Sequence, residues 1–187
     1  SIDGAYRIVS CSFLKEVKRL DILIEGLRYL ANLMPQQRIE WNHLGDGPLR
    51  ESLTDQAKER LPGNVEWRFR GHVPNSGVYD FYRTNPVDVF VNVSRSEGVP
   101  VSIMEAQSCG IPVIASAVGG TPEIVSEDVG ILLPADPSVR QTAEALLKMR
   151  FPEVSLQKRN ASKACWRTKY NASTNYKIFA RMLREWS

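Results

Sequence analysis

A doubly wound α/β fold on a mainly parallel sheet is what this sequence predicts, on three observations. Short runs with strand character alternate with longer stretches whose apolar residues recur at helical spacing. One run, Val87-Asp88-Val89-Phe90-Val91, is almost continuously apolar, the pattern of a parallel strand covered on both faces. Strands that alternate with helices need right-handed crossovers, which put helices on both faces of one open sheet.

The elements follow in order. Arg7-Ile8-Val9-Ser10-Cys11 reads as the first strand. Leu20, Leu23, Ile24, Leu27, Leu30 and Leu33 then fall at helical spacing, and Pro35 ends that helix. Residues 38–44 alternate as a second strand, and Gly45-Asp46-Gly47-Pro48 turns the chain into a helical stretch over 49–61. Pro62-Gly63-Asn64 breaks it, and Val65-Glu66-Trp67-Arg68-Phe69 alternates as a third strand. A short helix near 78–83 leads to the apolar run at 87–91, the fourth strand. A polar loop over 94–98 precedes a helix over 100–109 and the strand Ile111-Pro112-Val113-Ile114-Ala115. Gly119-Gly120, a short helix near 122–125, a strand at 130–133 and a helix over 138–149 complete the alternation. Beyond Pro152 the chain turns polar, basic and helical, with Trp166, Tyr170, Tyr176, Phe179 and Trp186 spread through it. Residues 1–150 are expected as one α/β domain and 151–187 as a helical extension packed on it.

Composition narrows the function. The 187 residues are 43% hydrophobic and 24% charged, which excludes collagen-like, low-complexity and disulfide-scaffold classes. Lys and Arg total 24 against 21 Asp and Glu. A net +3 suits a small anionic ligand and is too weak to argue for nucleic acid. Cys11, Cys109 and Cys165 are odd in number and widely spaced, so a reducing compartment is expected. With only two histidines beside them, no metal site is expected. The longest apolar stretches, 87–93 and 111–118, fall far short of a membrane span. The opening Ser1-Ile2-Asp3-Gly4-Ala5 has neither Met nor a signal pattern, so the chain is expected to be a piece of something longer.

In an open parallel sheet, ligands bind outside the carboxyl ends of the strands. The predicted loops there are Ser10-Cys11-Ser12 with Lys18-Arg19 at the next helix, Gly45-Asp46-Gly47, Gly71-His72-Val73, Ser94-Arg95-Ser96-Glu97-Gly98, and Gly119-Gly120-Thr121. Glycines let backbone amides approach a ligand, and amides at a helix start favour phosphate. Singly, each has a plain reading. Gly-Asp-Gly-Pro is a turn, Lys18-Arg19 a solvated helix end, His72 a loop residue, and His43 a packed or paired strand residue. No Ser-His-Asp constellation can be argued. Residues 94–125 stand apart. Glu97 lies in the loop after the fourth strand and Glu105 eight residues later. With Pro100 as first helical residue, Glu105 falls within two turns and both carboxylates are expected to face one crevice. A partly buried acid without a cationic partner must accept hydrogen bonds, and the vicinal diol of a sugar or ribose offers two donors.

This segment resembles the Glu-x7-Glu signature of retaining glycosyltransferases of the GT-B fold, family 4. The likeness runs from about Arg7 to Leu147. It takes in Lys18-Arg19-x-Asp21, Gly45-Asp46-Gly47-Pro48, Gly71-His72-Val73, Cys109-Gly110-Ile111-Pro112-Val113-Ile114 and Gly119-Gly120-Thr121-Pro122-Glu123, in the family's order. The resemblance implies a Rossmann-like domain, the C-terminal, donor-binding half of a two-domain GT-B enzyme. Such an enzyme moves a hexosyl unit from a nucleoside diphosphate sugar to an acceptor hydroxyl with retention, in polysaccharide or glycoconjugate synthesis. No metal or other cofactor is implied.

By the same resemblance Lys18 neutralises the diphosphate, since a leaving diphosphate needs positive charge. Glu105 takes the ribose hydroxyls in a bidentate hydrogen bond. Glu97, the catalytic candidate, faces hydroxyls of the donor sugar near the reacting carbon. Amides of Gly98, Val99, Val101 and Ser102 approach the phosphate or sugar. Gly71, His72 and Val73 border the base, and Gly45 and Gly47 line the crevice. Two departures stand out. The family's Arg five residues before the Lys is replaced within Ser12-Phe13-Leu14, which leaves further charge to Lys15 or Arg19. Pro100 lacks an amide hydrogen, so one phosphate donor is missing.

The acceptor domain is expected upstream of Ser1 in the same polypeptide, so the chain alone is expected to bind nucleotide weakly and transfer nothing. The family's final helix crosses back onto that domain. Some of Tyr170, Tyr176, Phe179 and Trp186 should then be exposed here. The basic residues around them point to peripheral membrane association of the full enzyme, at the inner face of the membrane in the cytoplasm. Two other readings remain: a nucleotide-binding module without catalysis, and a sugar-nucleotide epimerase of the same fold.

Overall fold

The structure, a computed structural model, describes residues 3–185. Six strands alternate with helices: β1 (Tyr6–Cys11), α1 (Leu20–Leu33), β2 (Ile39–Leu44), α2 (Arg50–Arg60), β3 (Val65–Phe69), α3 (Asn75–Thr84), β4 (Val89–Asn92), α4 (Val101–Ser108), β5 (Val113–Ser116), α5 (Thr121–Ile124), β6 (Gly130–Leu133) and α6 (Val139–Met149). The pairings between these six strands are all parallel and the sheet order is β3-β2-β1-β4-β5-β6. This is the doubly wound, Rossmann-like order, with its switch point between β1 and β4.

Each face of the sheet carries its own core. Leu23, Ile24, Leu27 and Leu30 of α1 pack with Ala143 and Leu146 of α6 against Ile8, Ile39, Trp41 and Val91. On the other face Val78 and Tyr82 of α3, Ile103 and Ala106 of α4 and Ile124 of α5 cover Val9, Phe90, Val113 and Ala115. The β4 residues Val89-Phe90-Val91 therefore bury alternate side chains in opposite cores, which is why the run is apolar throughout. α6 opens with a capping box, Ser138 accepting from the Gln141 amide and Gln141 from the Ser138 amide.

Boundaries move where proline and pairing decide them. β5 starts at Val113, since Pro112 has no N–H to give the ladder and supplies only its carbonyl, to the Phe90 amide. α3 starts at Asn75, three residues before the expected Val78, behind Pro74. Pro100 is the extended cap of α4 rather than its first helical residue.

Beyond α6, α7 (Pro152–Cys165) is tied down by Arg159, which donates to the carbonyls of Gly110 and Val87, and by Ser162, which donates to that of Val129. A π-helical turn (Trp166–Tyr170) and α8 (Ala172–Glu185) follow. No residue of α8 is buried. Tyr176 and Phe179 are 74% and 60% exposed, as expected, whereas Tyr170 is half-buried and donates to the Glu123 carbonyl. Trp186 lies outside the described residues.

Candidate functional site

The carboxyl ends of β1 and β4 diverge into the loops that hold the candidate side chains. After β1 the chain makes a 3-10 turn (Glu16–Lys18) and enters α1 through Arg19, whose φ of 51° is left-handed. The loop after β4 is tied to that turn by the Arg95 amide, which donates to the Val17 carbonyl at 2.8 Å. Lys18 and Glu97 consequently meet. The ammonium lies 2.7 Å from Oε1 and 2.9 Å from Oε2 of Glu97. Asn92, the last residue of β4, donates to Oε1 at 3.0 Å and accepts from the Ser94 amide at 3.0 Å. Burial alone would push the Glu97 carboxyl up, but the hydrogen bonds from Lys18, Ser94 and Asn92 outweigh it and hold it below its ordinary value. The expected acid without a cationic partner thus has one, because the crossover geometry delivers Lys18 to it.

Arg19 does not join Lys18. Its left-handed backbone sends the side chain to Asp136, in the loop before α6. Lys18 lines a narrow cleft at the switch point with Ser10, Cys11, Asn92 and Ser94, of about 10 Å³, scarcely room for one water.

Glu105 occupies the inner side of α4 and is 6% exposed. Burial raises its carboxyl above the ordinary value, and a hydrogen bond from the Asn75 amide group to Oε1 opposes the rise. The Cys11 thiol faces it and is pushed up to about 12 by its own burial and by that carboxylate. Glu97 and Glu105 therefore flank the end of β1 from two sides, one through Lys18 and one against Cys11. The α4 start, with Val101 exposed and Ser102 half-buried, leaves its first amides without helical partners. Gly98 and Val99 are exposed beside it.

Gly45 and Gly47, expected to line the crevice, sit where the loops after β1 and β2 meet, and they hold those loops together. Gly45 has φ 143°, and a Cβ there would sit 1.9 Å from the Ser12 carbonyl oxygen. Its amide donates to the Gly71 carbonyl, and the Leu14 amide donates to that of Asp46. Gly119 plays the same part on the other side: φ is 51° and a Cβ would lie 1.9 Å from the Glu97 carbonyl oxygen, while the Gly120 amide donates to Gly98. His72 is exposed and Val73 half-buried, just ahead of Asn75.

Two functional candidates escape sequence reasoning, while a third residue, His43, answers its sequence reading. Asn92 is polar at the end of an apolar run, a position that calls for a partner and could have been flagged. Asn75 lies before the predicted helix and nothing in the spacing marks it. His43, read as packed or paired, is fully buried within a chain that ends on the β1 loop. Trp41 Nε1 donates to Ser10 Oγ at 3.0 Å, Ser10 pairs with His43 Nδ1 at 2.9 Å, and Nε2 meets the Ser12 carbonyl at 3.0 Å. A carbonyl only accepts, so Nε2 carries the hydrogen and Nδ1 accepts from Ser10. Among the described residues no three His, Cys, Asp or Glu side chains come together as a metal-holding group, and no helix is long and apolar enough to cross a membrane.

The profile of the family described as Glycosyl transferases group 1 matches residues 5–150. A phosphatidylinositol N-acetylglucosaminyltransferase polypeptide of Arabidopsis thaliana is 34% identical over 131 residues, 70% of this chain and 28% of that protein. The amylovoran biosynthesis glycosyltransferase AmsK of Erwinia amylovora is 28% identical over 188 residues, 95% of this chain and 44% of that one. The crystal structure of Anabaena HepE in complex with UDP-glucose superposes with a TM-score of 0.79 at 20% identity, over 98% of this chain and 50% of its own. The chain thus spans less than half the length of these two curated relatives. It belongs to the glycosyl transferases group 1 family and is a glycosyltransferase domain of the GT-B fold.

Proposed function

We propose that the chain is the donor-binding half of a retaining hexosyltransferase, and the observation that carries this reading is the Lys18–Glu97 pair at the switch point. A cation and a carboxylate at the end of β1 match two neighbouring parts of one substrate. On entry, the diphosphate of a nucleoside diphosphate sugar takes the Lys18 ammonium, and the released Glu97 accepts hydroxyls of the sugar near the reacting carbon. Glu105 accepts the ribose hydroxyls, Gly71, His72 and Val73 border the base, and the amides around Gly98, Val99, Val101 and Ser102 approach the phosphate or sugar. In the step itself the bond from the anomeric carbon to the phosphate oxygen breaks and one to the acceptor oxygen forms on the same face. The acceptor proton leaves with the phosphate. Lys18 supplies the positive charge without a metal.

The acceptor side belongs to a domain in a longer polypeptide, and the exposed Tyr176 and Phe179 of α8 suit a helix that packs on it. The basic tail and the unpaired Cys11, Cys109 and Cys165 suit a cytoplasmic enzyme at a membrane's inner face. A role in polysaccharide synthesis is favoured by the likeness to AmsK.

Calorimetric titration with UDP, GDP and ADP tests the reading. Binding of one nucleotide, lost in Glu105→Ala and kept in Glu97→Ala, is expected, whereas no binding of any of the three overturns it. Robust sugar transfer by the purified 187 residues would overturn the assignment of half an enzyme.

A further inference from the structure

Glu105 is almost wholly buried, yet one polar side chain reaches it from another element. Asn75, the first residue of α3, donates through Nδ2 to Oε1. It follows directly on Gly71-His72-Val73-Pro74, so this hydrogen bond ties the loop after β3 to the carboxylate on α4. The other titratable groups facing Glu105 are Cys11 of β1 and Tyr79 and Tyr82 of α3, all with raised values and therefore neutral near pH 7. They supply no charge to orient it.

A carboxylate offers about four lone-pair positions. Asn75 fills one and fixes the plane of the group. The free positions are those of Oε2 and the second of Oε1, a fork matched to two adjacent hydroxyls. Without Asn75 the carboxylate can rotate, and burial favours its protonated form, which loses an acceptor position. Asn75 itself is exposed, so it does not fill the core.

We propose that Asn75 is a positioning residue that turns Glu105 to accept both ribose hydroxyls, and so couples the loop bordering the base to recognition of the 2′-hydroxyl. This rests on the donor reading above. It adds a specificity element: the site should reject 2′-deoxyribonucleotides through a residue that touches the carboxylate rather than the sugar.

The test compares whichever of UDP, GDP and ADP binds best with its 2′-deoxy counterpart, by calorimetry on the 187-residue chain. The unmodified chain should prefer the ribonucleotide by roughly tenfold, the worth of one hydrogen bond to a charged group. In Asn75→Ala that ratio should fall to about twofold, through a loss confined to the ribonucleotide. Asn75→Ser, which keeps a small polar residue at the helix start, is the second variant should Asn75→Ala unfold, and it should show the same narrowing. Thermal melting checks folding in each. An equal loss for both nucleotides, or an unchanged ratio while Glu105→Ala abolishes it, would overturn the role of Asn75 and leave the donor reading intact. Failure of the unmodified chain to bind any of the three nucleotides would overturn both.

Discussion

Lys18 and Glu97, 79 residues apart in sequence, hold each other across the switch point with both carboxylate oxygens within 2.9 Å of the ammonium. Their side chains are 18% and 9% exposed, so each would be costly to leave alone. Breaking a buried pair from one side costs about 3–5 kcal/mol, and a partly wet one less. Lys18→Met should therefore destabilise the chain by about 2 kcal/mol, because it strands Glu97. Glu97→Gln should cost about 1 kcal/mol, since Lys18 retains a neutral acceptor. In urea unfolding the double variant should lose at least about 1 kcal/mol less than the two losses added together. Strict additivity would show that the pair contributes no coupling.

Arg19 is the one residue other than glycine in the left-handed region among the described residues. That conformation costs about 1–2 kcal/mol for an ordinary side chain. Its ion pair reaches Asp136, which is 79% exposed, so the pair is worth under about 1 kcal/mol. Arg19→Gly is accordingly expected to change stability by no more than about 1 kcal/mol, in either direction. Arg19→Val should cost about 2 kcal/mol, because a branched Cβ fits this backbone worst. A Gly variant less stable than the Val variant would mean that side-chain packing, not backbone strain, governs the turn before α1.

The alternation of strand and helix was legible because each sheet face buries its own apolar set, which the sequence repeats element by element. Glu97 and Glu105 were legible because their spacing around a helix start is local. What was not legible is pairing across the chain. Lys18 meets Glu97 only because β1 and β4 are sheet neighbours, and Asn75 meets Glu105 only because α3 and α4 share a face. The glycines of Gly45-Asp46-Gly47 were legible as a turn, but their tight fit against Ser12 and Leu14 depends on how neighbouring loops stack. Spacing says which residues can meet a ligand. It does not say which will first meet one another.

The buried His43 makes stability depend on pH in one window. Burial pushes the imidazole from its ordinary 6.5 down to about 4. The unfolded chain takes up a proton near pH 6.5, whereas the folded one does so only near pH 4. The contribution is thus complete above about pH 6.5 and is lost as pH falls towards 4, by roughly 3 kcal/mol. Urea unfolding of the unmodified chain and of His43→Gln between pH 4 and 7 checks this. The variant should be less stable at pH 7 and show a distinctly flatter profile. Parallel profiles would mean that carboxylates, not His43, account for the acid sensitivity.

The outer face of α8 separates packing within the chain from packing against something else. Tyr176, Phe179, Met182 and Leu183 are between 48% and 74% exposed, and the helix buries none of its residues. Such a face takes almost no part in the stability of this chain, because side chains that stay wet on folding gain nothing from it. The double variant Tyr176→Ser, Phe179→Ser should melt within about 2 °C of the unmodified chain. Ile24→Ala, which empties a fully buried site in α1, should by contrast cost about 3 kcal/mol. A large loss in the α8 variant would mean that the face is already covered in solution by a second copy. Sedimentation would then show a dimer that the variant dissociates. If the face instead meets the acceptor domain, the same two substitutions should destabilise the longer polypeptide and leave this chain untouched. Exposed aromatics on a free face are the residues a partner domain has most to gain from covering.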